Sequence, residues 1–180
     1  MPIISIIGIA GRARSGKDTI ANFILTMQGG YRYSFADPIR NMLKALGIDL
    51  SHPYWLENKE NIIPVLGASP RRLMQTLGTE WGRKLINPDL WLIMATQHFA
   101  QQGPGMIIAD IRFENEAKWV RNNGGIVIHV DRPNIQKVED HVSEQGIEFN
   151  PLTDKLLPNN GSLERLYLRT QEILTDVHKT

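Results

Sequence analysis

An apolar run that breaks into a glycine-rich turn and then resumes at helical spacing constrains this chain more than any other feature. "IISII" at residues 3–7 leads into "GIAGRARSGKDTIANFI" at residues 8–24. A run that is apolar on both faces reads as a strand buried in a parallel sheet. Beyond Gly16, the residues Ile20, Phe23, Ile24 and Met27 recur at helical spacing. Gly11, Gly16 and Lys17 fit the pattern Gly-x-x-x-x-Gly-Lys of a phosphate-binding loop, in the strand–turn–helix context that the pattern requires. Backbone N–H groups of residues 12–17, that of Ser15 among them, would cradle a triphosphate at the helix start. Lys17 would reach its β- and γ-phosphates.

Asp18 stands where such a loop usually carries a hydroxyl for magnesium. Two readings are open. An acid in the first turn of a helix complements the helix dipole, for about 0.3–1 kcal/mol. Alternatively, a carboxylate beside a triphosphate is repelled unless a cation lies between them, and Mg²⁺ accepts carboxylate oxygens directly or through water. Asp18 would then be a magnesium-side group, and Thr19 would offer its hydroxyl toward the α-phosphate.

The rest of the chain alternates strand and helix. Strands are expected at "YRYSFA" (31–36), "MIIADI" (106–111), "IVIHVDR" (126–132) and "KLLPN" (155–159). Helices are expected from Pro38 to about Leu46, after Ser69-Pro70, after Asn87-Pro88, over "FENEAKWVRNN" and after Ser162. Residues 47–68 read as irregular, and 133–154 as a loop or short helices. This order predicts an α/β fold, a parallel sheet with helices on both faces, as one domain over 1–180.

Ligands of open parallel sheets bind at the carboxyl ends of the strands. Asp110, Arg112 and Glu116 fall at that end of the strand "MIIADI", where Asp110 is a second candidate for the magnesium side. Arginine suits bidentate phosphate contacts, so Arg40, Arg71, Arg72 and Arg112 are candidates to bracket a second phosphate.

The formal net charge of +1 gives no global field for nucleic acid or membrane. The sequence has no cysteine, which removes disulfides and thiolate metal sites and suits a reducing cytoplasm. No apolar run approaches the roughly 18 residues of a membrane span, and the start of the chain lacks a signal-peptide pattern.

The segments "RSGKDTIANFI", "RRLMQTLGTE", "IADIRFENEAKWVRNNGGIVIHVDRP", "HVSEQGI" and "NNGSLERL", in this order, closely resemble the deoxynucleoside monophosphate kinase family of bacteriophages and related prophages. The resemblance runs from residue 3 to about 170, outside 47–68. It implies an adenylate-kinase-like fold that takes ATP and Mg²⁺ on the loop and a nucleoside monophosphate as acceptor. On the family pattern Arg14, Gly16, Lys17, Asp18 and Thr19 serve ATP and magnesium. Pro38, Ile39 and Arg40 line the monophosphate pocket. Arg72, Gly78 and Thr79 hold phosphate and sugar, Trp91 borders the base, and Asp110, Arg112 and Glu116 face the acceptor. Asn160 and Gly161 lie where such enzymes pass backbone across the adenine. Arg132 begins a lid-like segment, about 133–154, in which His141 either touches phosphate or orders the loop. Ala13 stands where family members often carry a basic residue, and Arg12 is the neighbour able to supply that charge.

His129, inside an apolar strand, reads as a core histidine, and Trp55, Trp81 and Trp119 as packing residues. The expected activity is ATP-dependent phosphorylation of a (deoxy)nucleoside monophosphate. Its partners would be small nucleotides rather than nucleic acid or membrane, in the cytoplasm, with a homodimer left open. The alternatives are another small-molecule kinase, of the phosphomevalonate or dephospho-coenzyme A type, and a non-catalytic nucleotide switch.

Overall fold

The apolar run becomes β1, Ile6–Ala10, in which every residue is buried. It is the middle strand of a five-stranded sheet ordered β2-β3-β1-β4-β5, with β2 at Tyr31–Tyr33, β3 at Met106–Ile111, β4 at Ile126–Asp131 and β5 at Asp154–Pro158. All four pairings are parallel. A computed structural model of the protein describes residues 3–133 and 147–178. The lid-like expectation falls largely outside these residues, and that for His141 wholly so.

The described chain divides into two compact units, one formed by Met1–Ser34 and Phe99–Thr180, the other by Phe35–His98. The first carries the sheet with α1 (Lys17–Gln28), α6 (Glu114–Asn122) and α7 (Leu163–Val177). Its core gathers Ile7 and Ile9 of β1, Ile20 and Ile24 of α1, Ile107, Ile128 and Leu157 of the neighbouring strands, and Leu166 and Leu174 of α7. Burial of each such side chain is worth about 1.5–3 kcal/mol. Phe23 of α1 meets Tyr167 of α7 edge-on at 5.2 Å. Ser162 caps α7 as its sequence signature implies, accepting the Arg165 N–H at 3.2 Å.

The second unit carries α2 (Asp37–Ala45), the short α3 (Pro53–Glu57) and α4 (Pro70–Gln75). Ser69 caps α4, accepting the Arg72 N–H at 3.3 Å, with Pro70 in the first turn. α4 then continues, without a break, as a π-helical stretch, Thr76–Ile86. α5 (Leu90–Gln102) begins in this unit and ends in the first.

Several boundaries differ from expectation. The strand at 31–36 stops at Tyr33, and Phe35 is buried as the first residue of the second unit. Asn87 accepts the Asp89 N–H at 2.8 Å in a side-chain turn, so α5 starts at Leu90 rather than directly after Pro88. Residues 47–68 are less irregular than they read, since they hold α3 and an antiparallel bridge between Ile63 and Ala68.

At the start of β5 the Asp154 carboxylate is fully buried. It accepts from Arg121 Nε at 3.0 Å and Nη2 at 2.6 Å, and from the Asn150 N–H at 3.0 Å. His129 Nε2 lies 2.8 Å away. His129 is thus a satisfied core histidine, with Phe149 edge-on to its ring. Arg121 also donates to Glu114 Oε1 at 2.9 Å and to the Glu148 carbonyl at 2.8 Å. Burial alone would push the Asp154 pKa up, but the bonds from Arg121, the Asn150 N–H and His129 outweigh it and hold the carboxyl below its ordinary value.

Arg121→Ala strands this carboxylate and is expected to cost about 3–5 kcal/mol in urea denaturation at neutral pH. Because the folded pKa of Asp154 is depressed, its contribution is complete above the ordinary value of 3.8 and is lost as pH falls through the lower folded value. Asp154→Asn should therefore flatten the acid limb of the stability–pH profile.

Candidate active site

The loop between β1 and α1 is built for close approach to a ligand. Gly16 ends it in the left-handed region, at φ 99°, and a Cβ there would also lie 2.6 Å from Asn159 Nδ2. A Cβ on Gly11 would meet the Val130 carbonyl at 2.8 Å. Arg14 holds a left-handed φ of 63°, uncommon for a residue with a side chain. Neighbours fasten this backbone. Asn159 donates to the Ser15 carbonyl at 2.8 Å while its own N–H bonds the Asp131 carbonyl. Arg132 Nη1 donates to the Arg14 carbonyl at 3.0 Å.

Lys17, the first residue of α1, folds back over the loop, and its ammonium donates to the carbonyls of Gly11 and Arg12 at 2.7 Å each. The guanidinium groups of Arg12 and Arg14 are exposed and, among the described residues, carry no ion pair or hydrogen bond. Ser15 differs. Only 1% exposed, its hydroxyl has no partner among the described residues and lies beside Gly11. Thr19 is half-buried in the first turn of α1.

Asp18 is 84% exposed and forms an ion pair with Arg32 of β2, which also donates to Asn22 Oδ1 at 3.2 Å. Asp110 sits at the carboxyl end of β3, one residue before Ile111, the register partner of Ala10, where β1 gives way to the loop. Ser34, just beyond β2, donates its hydroxyl to Asp110 Oδ2 at 2.6 Å. Among the described residues no group of three or more His, Asp and Glu is gathered for a metal. The oxygens of Asp18, Asp110 and Ser34 are hard donors of the kind Mg²⁺ takes when nucleotide phosphates and water complete its shell. The donor chemistry therefore fits a magnesium nucleotide.

Arg112 is exposed beyond β3. Glu116, expected to face a ligand beside it, is only 2% exposed. Its carboxylate accepts the N–H groups of Arg112 at 2.7 Å and Phe113 at 3.1 Å. Four-residue spacing brings Glu116 under the turn, where it ties down the backbone at the start of α6. At the other end of β5, Asn160 is held by Arg169 Nη1 at 2.8 Å, and Gly161 packs on the Arg165 stem.

In the second unit, Ile39 and Gly78 come together, since a Cβ on Gly78 would lie 3.0 Å from Ile39 Cδ1. Pro38 lies in the first turn of α2, where Arg40 pairs with Asp37 at 2.7 Å. Arg71 pairs with Glu60, whereas the exposed Arg72 guanidinium carries no bond among the described residues. Thr79 is half-buried in the π-helical stretch. Trp91, which the family pattern puts beside the base, is enclosed by its own unit. Its side chain is 3% exposed, its Nε1–H bonds the Gly78 carbonyl at 2.8 Å, and its ring lies against Gly82.

Sequence reading missed Arg32, Ser34 and Asn159: Ser34 and Asn159 act on residues 76 and 144 positions away, and Arg32 acts on Asp18, 14 positions back. Ser34 reads as part of the strand expected at 31–36, and for Asn159 the one signal was its neighbour Asn160-Gly161. Arg32, inside a strand, gave none.

A family model described as deoxynucleotide monophosphate kinase matches residues 5–53 and 56–170. The match runs through 47–68, where no resemblance was expected, except at 54 and 55. An Acanthamoeba polyphaga mimivirus protein given the same family's name is 30% identical over 177 residues, which cover 90% of this chain and 92% of the relative. The deoxynucleoside-5'-monophosphate kinase of Escherichia phage T5 is 26% identical over 232 residues, covering 91% of this chain and 93% of the relative. Among solved structures, shikimate kinase from Aquifex aeolicus matches with a TM-score of 0.54 at 12% identity, over 97% of this chain and 96% of that one. Dephospho-CoA kinase from Campylobacter jejuni gives 0.51 at 12% identity, over 97% and 98%. These likenesses show the fold.

Glu116→Ala leaves two backbone N–H groups without their acceptor and is expected to cost about 1–3 kcal/mol. Urea denaturation of the purified variant measures the loss.

Proposed function

This chain belongs to the deoxynucleotide monophosphate kinase family, and we propose that it moves the terminal phosphoryl group of ATP onto a deoxynucleoside monophosphate. The observation that carries the reading is the Lys17 ammonium resting on the Gly11 and Arg12 carbonyls of the glycine-rich loop. An ammonium already at the mouth of such a loop is poised to exchange carbonyl oxygens for phosphate oxygens. Arg12 and Arg14, exposed and unpaired among the described residues, add positive charge to the same loop. Phosphoryl transfer needs positioning and neutralisation of charge more than covalent chemistry from the protein.

Bound Mg²⁺ would neutralise charge on the transferring phosphates, and Asp110 and Asp18 are the residues that would hold it, directly or through water. Ser34 keeps one Asp110 oxygen oriented. The acceptor is an ionised phosphate and needs no strong base. In the reading from the family pattern, Arg72, Arg112 and Arg40 bind it, with Pro38, Ile39, Gly78 and Thr79 around it. Arg132 links the loop to the start of the segment beyond β4, and Asn160 and Gly161 serve the adenine. Small nucleotides would be the partners and the cytoplasm the place of work. Among the described residues no helix is long and apolar enough to cross a membrane.

Formation of ADP with each deoxynucleoside and ribonucleoside monophosphate tests the reading. Dephospho-coenzyme A and phosphomevalonate serve as competing acceptors. Turnover confined to nucleoside monophosphates supports it, and turnover of only the other acceptors overturns it. Lys17→Ala is expected to lower kcat by roughly 10²–10³-fold, as for loss of one charge-stabilising group in a transition state, with the fold retained by circular dichroism.

Asp18→Asn separates the two readings of that residue. As a magnesium-side group, its loss raises the magnesium concentration needed for half-maximal rate. As a helix-dipole and Arg32 partner alone, its loss lowers stability slightly and leaves the magnesium dependence unchanged.

A further inference from the structure

The stretch Thr76–Ile86 is π-helical over 11 residues, much longer than the single-turn bulges that π geometry usually forms inside helices. Its last turn closes with the Asn87 N–H on the Gly82 carbonyl, five residues back, at 2.9 Å. Such geometry is rare because each turn is wider than an α turn and packs less well about its axis. It persists where something outside the helix holds it, and it recurs at functional sites.

Here the holder is visible. Trp91 of α5 places its indole against the stretch at two points, one turn apart. At one, Nε1–H donates to the Gly78 carbonyl at 2.8 Å, in a fully buried bond. At the other, the ring edge lies on the bare backbone of Gly82, where a Cβ would be 2.4 Å from Trp91 Cζ2 and 2.9 Å from the Leu77 carbonyl. On its other side Gly78 faces Ile39, with room for no Cβ closer than 3.0 Å to Ile39 Cδ1. Gly78 is thus fixed between the side chain of α2 and the indole of α5. The two glycines of "LGTEWG" admit these contacts, and a larger residue at Gly82 would force the ring away.

We propose that Trp91 is a positioning residue for the acceptor, holding the π-helical stretch in the shape that presents Gly78 and Thr79. The inference rests on the acceptor-side assignment of those two residues under the proposed function. It assigns Trp91 no contact with the substrate. A buried indole N–H needs a partner, and the Gly78 carbonyl at 2.8 Å is its partner. Removal of the N–H releases the ring from Gly78, and displacement of the ring leaves the N–H unsatisfied, in either case at the point where the acceptor's phosphate and sugar would be held.

The test uses Trp91→Phe, which keeps an aromatic ring and removes the N–H, and Gly82→Ala, which keeps both partners and displaces the ring. For each folded variant, KM is measured for ATP and for the nucleoside monophosphate that the wild-type protein uses best. Hydrogen–deuterium exchange is followed over residues 76–86. The expected result is a rise in acceptor KM of roughly five- to thirty-fold, an ATP KM within about twofold of wild type, and faster exchange centred on 76–86. An unchanged acceptor KM in a folded variant, or equal changes for donor and acceptor, overturns the proposal. If neither variant folds, the contact serves stability alone, and the proposal is likewise overturned. A wild-type protein that turns over no nucleoside monophosphate refutes the proposed function instead. The exchange experiment still reports then whether the indole holds the π geometry.

Discussion

Everything at the candidate site depends on one strand. β1 is buried on both faces and lies between β3 and β4 in the sheet. A backbone so enclosed has one free direction, out of its carboxyl end, and there the chain must turn sharply before α1 can cover the sheet. The loop is that turn. Within it the Ser15 N–H closes a turn on the Arg12 carbonyl at 3.2 Å, and the start of α1 follows directly, where helix N–H groups favour an anion. Lys17 gives the same turn a positive charge and satisfies two of its carbonyls.

The loop's shape is not self-sustaining. Arg14 in the left-handed region and Gly16 against Asn159 are arrangements that a free peptide would leave. They are held by Asn159 from beyond β5 and by Arg132 from beyond β4, each bonded to a loop carbonyl. The Asp154 cluster works at the opposite end of β5. There a buried carboxylate takes bonds from Arg121 and the Asn150 backbone and lies beside His129, while Arg121 reaches Glu148 as well. Residues 147–150 are thereby tied to the sheet. A buried charge of this kind is tolerated because nearly all of its hydrogen-bonding capacity is met.

Much of the fold could be read along the chain. The buried strands β1, β3 and β4 are continuous apolar runs, and the serine caps at Ser69 and Ser162 lie where a helix start needs a hydroxyl acceptor. These signals are local, so they survive in a linear reading. The misread features are non-local. "YRYSFA" loses its second half as a strand because Phe35 belongs to another unit's packing. The stretch after α4 carries no mark of π geometry, since its shape is bound up with an indole many residues later. The family pattern placed Trp91 beside the base, and in the structure its indole lies on the backbone of Gly82.

The sequence by itself determined the strand, the glycine turn, the lysine and the order of elements. Each of these follows from side-chain periodicity and backbone preference within about 20 residues, and together they marked a phosphate-binding loop at the head of a parallel sheet; the kinase reading came from the resemblance of longer segments to a known family. Only the tertiary structure decided which polar side chains face one another. Ser34 orients Asp110, Glu116 turns inward to two N–H groups, and Ser15 buries its hydroxyl beside Gly11. The physical reason is that a charged or hydroxyl side chain has several partners of nearly equal energy in the unfolded chain. Burial, by excluding water, makes one of them far cheaper than the rest, and which one is left depends on strands and helices brought together from distant parts of the sequence.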